Sequence, residues 1–127
     1  MSDATDTLAW VPRAEEDYAL ARSSLRRRRP LVYGACFHAQ QCVEKYLKAA
    51  LVARGQAFPW THDLVALADL CTKAGLPLAV HSDQLDILSA YAVRVRYPGE
   101  ELSLADAKSA FEIVKDLRRS LRKALGL

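Results

Sequence analysis

Apolar residues recur at spacings of three and four along most of this chain. Ala14, Tyr18, Ala21 and Leu25 form a first stripe, the signature of one helix face. Glu15, Glu16 and Asp17 fall in its early turns, near the positive end of the helix dipole. Pro12 suits a first helical turn, where its missing N–H is not needed. A start near Asp6, with Pro12 inside the helix, fits the pattern equally well. Arg26 to Arg29 lead into Pro30, and the residue before a proline avoids the α region, so the helix should end there. A second helix is predicted from about Leu31 to Arg54, closed by Gly55. Val32, Ala35, Cys36, Ala39, Val43, Tyr46, Leu47 and Ala50 give it a broad apolar face, and Gln41, Glu44, Lys45 and Lys48 a polar one.

Phe58-Pro59-Trp60 reads as a rigid aromatic connector. Thr61 is the expected N-cap, with Asp63 in the first turn, of a short helix carrying Leu64, Leu67, Ala68 and Cys71 and stopped by Gly75. Ser82 can cap a fourth helix with Leu85, Leu88, Ala92 and Val95, halted by Pro98-Gly99. Ser103-x-x-Asp106 resembles a capping box, with Asp in place of the usual Glu or Gln. Behind it, Leu104, Ala107, Phe111, Val114, Leu117, Leu121 and Leu125 keep helical spacing to the end. One-sided stripes of this kind are buried by packing against one another. The expectation is a single all-α domain over residues 1–127, an up-and-down antiparallel bundle of about five helices.

Composition agrees. The chain is rich in Ala, Leu and Arg, with two Ile and no Asn, which favours helix over strand. With 51% hydrophobic and 26% charged residues it can bury a core, so wholesale disorder is excluded. A net charge of +3 and a pI near 8.9 are mild for a nucleic-acid binder. The Arg26–Arg29 run lacks interleaved aromatics and reads as a solvated helix end, so nucleic acid is not the expected partner. Cys36, Cys42 and Cys71 are odd in number, without CxxC spacing, and read as small buried thiols in a reducing cytoplasm. The acidic first residues lack a basic n-region, and no run of 18 apolar residues occurs, so neither export nor membrane spanning is expected.

No Walker A, GxGxxG, HExxH or serine-elbow sequence is present, and no metal site or built-in cofactor is expected. Three clusters could carry chemistry. Gln41, Glu44 and Lys48 share a helix face at spacings of three and four. They form either a solvated face with an ordinary Glu-to-Lys pair or a ligand surface on which Lys48 meets phosphate and Glu44 accepts a proton or holds Lys48. His62, in Pro59-Trp60-Thr61-His62-Asp63-Leu64, is either a structural histidine or an anion ligand at a helix start. Arg94, Arg96 and Tyr97, in Arg94-Val95-Arg96-Tyr97-Pro98-Gly99, either complement a helix C-terminus or read phosphate.

The succession A-Q-Q-C-V-E-K-Y-L-K-A, F-P-W-T-H-D-L and R-Y-P-G, behind an opening W-V-P-R-A-E-E-D, resembles the HEPN domain family of small bacterial and archaeal proteins. The likeness runs from about Trp10 to Phe111. It implies a helical bundle, often dimeric, that associates with a minimal nucleotidyltransferase, a pair discussed as a nucleotide-transfer or toxin–antitoxin module. The family is also similar to the helical domain of kanamycin nucleotidyltransferase. There a Glu and a Lys one turn later face the nucleotide, which implies Glu44 as general base, only with a partner, and Lys48 as phosphate ligand. Gln41, Lys45, His62, Arg94, Arg96 and Tyr97 complete the expected nucleotide-binding set. Another branch of the family cleaves RNA through Arg, four to six residues, then His. No Arg lies at that distance before His38, His62 or His81, which disfavours a stand-alone ribonuclease. A third reading is a purely structural oligomer. Trp10, Phe58 and Trp60, in or beside connectors, either pack over the bundle ends or meet a second copy.

Overall fold

The computed structural model describes residues 6–76, 78–94, 98–99 and 101–127. Five helices follow in order: α1 Thr7–Arg26, α2 Val32–Ala53, α3 Leu64–Lys73, α4 Ser82–Arg94 and α5 Leu104–Ala124. No strand occurs among the described residues, and the chain is an all-α bundle. No described helix is long and apolar enough to cross a membrane.

The alternative left open at the N-terminus resolves towards the longer helix. α1 begins at Thr7 and carries Pro12 inside it, while Ala9 N–H closes the first turn on Asp6 C=O at 2.9 Å. Trp10 therefore sits on α1 itself, not in a connector. Beyond Arg26 the chain bends, and Arg26 to Arg29 are exposed, as a solvated helix end should be.

α2 is the axis of the molecule. Its 22 residues span roughly 33 Å at ~1.5 Å per residue, and it packs on all four other helices, most extensively on α1. Its predicted apolar positions from Ala35 to Ala50 are buried, in one core with Ala14, Leu64, Leu67, Leu85, Leu88, Leu117 and Leu121. Gly55 ends it with φ 68°, a left-handed turn that side chains resist. Gly55 N–H reaches Val52 C=O at 2.9 Å and Gln56 N–H reaches Leu51 C=O at 2.9 Å, the two bonds of a Schellman end. Gly75 ends α3 in the same way.

Two cap assignments shift. The N-cap of α3 is Asp63, whose carboxylate accepts from Val65 and Ala66 N–H, while the Thr61 hydroxyl accepts from Asp63 N–H at 3.1 Å. Ser82 is the first residue of α4 rather than its cap, and His81 C=O takes the first bonds of that helix. The capping box at Ser103 and Asp106 has both halves in place.

The connector over residues 54–63 turns back along α2 before α3 starts. His62 thereby comes to lie against Gln40 and Glu44. Further on, Cys71 Sγ reaches Leu47 C=O at 3.6 Å and Arg54 donates to Gly75 C=O at 3.4 Å. α3 thus climbs α2 in the same direction. That return places a loop histidine beside the middle of the central helix.

Candidate functional site: a buried carboxylate and ammonium behind an exposed histidine

The polar face expected on α2 is not a solvated one. Glu44 is 4% exposed and Lys48 6%. Their pairing is direct, with Lys48 Nζ donating to Glu44 Oε2 at 3.1 Å. The other carboxylate oxygen, Oε1, accepts from Gln40 Nε2 at 3.0 Å and meets His62 Nδ1 at 2.8 Å. Gln41 stands one bond further back and donates to Gln40 Oε1 at 2.8 Å. Residues 40, 44 and 48 stack one turn apart, so the stripe that carries the cluster starts at Gln40 rather than Gln41.

Aromatic rings close the site over Lys48. Its ammonium lies 5.7 Å from the Trp10 ring centre and 5.3 Å from that of Phe58. The two rings meet edge to face, 5.4 Å apart at 86°, a favoured aromatic geometry. A cation over such faces is attracted by their quadrupoles, more strongly where water is excluded. Trp10 and Phe58 therefore pack inward, while Trp60 is 99% exposed. Sequence pattern grouped these three aromatics, and the fold separates them.

Burial would push the Glu44 carboxyl up. Hydrogen bonds from Gln40 and His62 and the charge of Lys48 outweigh burial and hold it below the ordinary value of 4.5. The carboxylate is thus a weak base with its lone pairs committed. The His62 side chain is half exposed, at 54%. Its Nδ1 faces Glu44, so the neutral ring donates through Nδ1–H and carries its basic lone pair on Nε2. A carboxylate behind a histidine in this way fixes its tautomer and the orientation of its ring.

Glu44 also makes an acid-stability prediction. A folded value below 4.5 means stability that is complete above the unfolded value and lost as pH falls through the folded one. The free-energy gap between the parent and Glu44→Gln should therefore narrow as pH falls below 4.5, the ordinary value. Chemical denaturation across that range checks it, and a constant gap would contradict the assignment.

Lys45 leaves this cluster. It turns to α1, where its ammonium and His38 Nδ1 bracket the buried carboxylate of Asp17, with His38 at 2.7 Å. On the face of α2 towards α5, Tyr46 donates to Glu15 Oε2 at 2.6 Å and accepts from Arg122 at 3.0 Å. Arg118 grips both oxygens of Glu15. Hydrogen bonding from Arg118 holds Glu15 below its ordinary value, while burial and the Glu15 bond raise the Tyr46 phenol. Neither cluster was legible in helical spacing, because each joins residues far apart in sequence. Cys36, Cys42 and Cys71 are all buried. Burial raises the Cys42 thiol and pushes Cys71 up to about 11, so both are protonated and unreactive near neutral pH.

Arg94 closes α4, but its side chain lies outside the described residues, as do Val95, Arg96 and Tyr97 entirely. Among the described residues no group of three or more His, Cys, Asp or Glu could hold a metal ion.

The crystal structure of TT1696 from Thermus thermophilus is similar to this chain, with a TM-score of 0.72 and 25% identity over 93% of this chain and 97% of that one. The crystal structure of ST0689, an archaeal HEPN homologue, shares the fold with a TM-score of 0.65 and 23% identity, covering 95% and 96% of the two chains. No curated protein matches the sequence. The HEPN domain model matches residues 7–124, from the first turn of α1 to the last of α5, and the chain therefore belongs to the HEPN domain family.

Proposed function

We propose that this HEPN chain supplies one wall of a nucleotide site completed by a minimal nucleotidyltransferase partner, in a pair of the toxin–antitoxin kind. The observation that carries the reading is the water-excluded Glu44–Lys48 pair, whose carboxylate bears directly on the half-exposed His62. A buried ion pair loses much of its Coulomb gain to desolvation and is weak evidence for stability alone. A titratable cluster of this kind beside an exposed histidine is instead a candidate functional site. His62 meets the phosphate or accepts the proton, Trp60 offers a face for the base, and Glu44 and Lys48 hold His62 from behind. Gln41 supports Gln40 in that network, and Lys45 braces α1. Arg94, Arg96 and Tyr97 remain part of the proposed phosphate-reading set. Glu44 thus works through His62, and only in the completed complex.

Calorimetric titration of ATP into the chain together with a minimal nucleotidyltransferase tests this. His62→Gln and Trp60→Ala should each weaken ATP binding by about tenfold or more, or about 1.4 kcal/mol, with the fold intact by circular dichroism. Unchanged affinity in both variants would remove this face from any nucleotide site.

A homodimer is the second reading, favoured by the complete exposure of Trp60, since exposed aromatics are enriched at interfaces. Sedimentation velocity separates the two. A dimer at tens of micromolar that Trp60→Ala converts to monomer would assign Trp60 to self-association.

A further inference from the structure

Outside this cluster, five cations of α5 gather beside Tyr18 of α1. A concavity of about 340 Å³ where α5 meets α1 is lined by Lys115, Arg118, Arg119, Arg122 and Lys123 together with Tyr18 of α1. The five cations recur at spacings of three and four, so one helix face carries them all. One carboxylate, Glu15, meets them directly, and both its oxygens are committed to Arg118, Arg122 and Tyr46. Lys115, Arg119 and Lys123 have no carboxylate within 4 Å among the described residues, although Glu112 and Asp116 lie on the same helix.

The cavity is also organised. The Arg118 guanidinium is fixed by two bonds to Glu15 and lies 4.5 Å from the Tyr18 ring centre. Tyr18 in turn stacks on Phe111 at 5.5 Å. A guanidinium held on its carboxylate and its ring loses little further freedom when its outer N–H groups meet an anion. We infer that this cavity is a binding site for an oligophosphate, taken up through its phosphate chain. Its volume is at the low end of the roughly 300–1,000 Å³ usual for small-molecule pockets. The Tyr18 ring is already engaged by both Arg118 and Phe111, so it is not a free platform for a base. Leu127 completes the lining and brings no ring. Phosphate oxygens, not a nucleobase, are the chemistry this lining recognises.

Calorimetry at fixed ionic strength with inorganic tripolyphosphate and, separately, with ATP tests the inference. Both anions should bind with affinities within about threefold of each other, because the base finds no platform. The triple variant Lys115→Gln, Arg119→Gln, Lys123→Gln should lose tenfold or more in tripolyphosphate affinity. These three side chains are exposed, so the fold should survive, and Arg119→Glu alone should give a weaker loss in the same direction. Three results would overturn the site. These are ATP or an RNA oligomer binding where tripolyphosphate does not, tripolyphosphate affinity unchanged in the triple variant, and affinity that falls with His62→Gln but not with the α5 replacements.

Discussion

Glu44→Ala should destabilise this protein by about 3–5 kcal/mol, more than almost any other single replacement outside the apolar core. The variant leaves the Lys48 ammonium buried between Trp10 and Phe58 with its carboxylate gone, and an unpaired buried charge is among the costliest defects a fold can carry. It also removes the acceptor of Gln40 and His62. The double replacement Glu44→Leu with Lys48→Met should recover much of the loss, because apolar side chains of similar volume often substitute for a buried pair without net cost. Urea denaturation of the two single variants and the double gives the coupling energy directly. A loss below about 1 kcal/mol for Glu44→Ala, the range of exposed ion pairs, would show that water reaches the pair in solution.

Leu47→Ala should cost about 2–5 kcal/mol. Leu47 is fully buried in the core cluster, where the central helix meets α3, and its removal opens a cavity that close-packed neighbours fill only in part. Leu104 provides the control. It belongs to the apolar stripe of α5 by spacing, yet it is 40% exposed in the first turn of that helix. Leu104→Ala should stay within about 0.5 kcal/mol. Equal losses at the two positions would contradict the core described above.

The contrast between these two leucines shows how far periodicity reaches. Spacing assigned most of the buried face of each helix among the described residues, with the side chains of Ala92 and Val95 on the α4 stripe lying outside them, since a helix that buries one side must repeat its apolar residues every three or four positions. At Leu104 the pattern runs one position past the packed region. The cap of α3 fails for a related reason. Thr61 and Asp63 are both competent caps, and local chemistry does not choose between them. Phe58 docks on Trp10 and His62 on Glu44. These contacts hold the connector off the helical path until Asp63.

The candidate site was legible in part. Glu44, Lys48 and His62 stand out by residue type, and the fold brings the three together. Gln40 carried a signal too, one turn before Glu44. Lys45 shared the polar face by sequence but swings to Asp17 of α1. Nothing in the pattern announced Glu15 with Arg118, because 103 positions separate them.

The five helices, the all-α class and the helix ends set by glycine or by a capping box follow from the order of residues alone. They depend on interactions within about one turn: glycine at positive φ, the Ser103 capping box, the three-and-four repeat. Whether polar residues on those helices meet water or one another was settled by packing between segments. Burial of Glu44 and Lys48 depends on which ring and which loop cover them, and such contacts form between stretches that local propensity treats as independent.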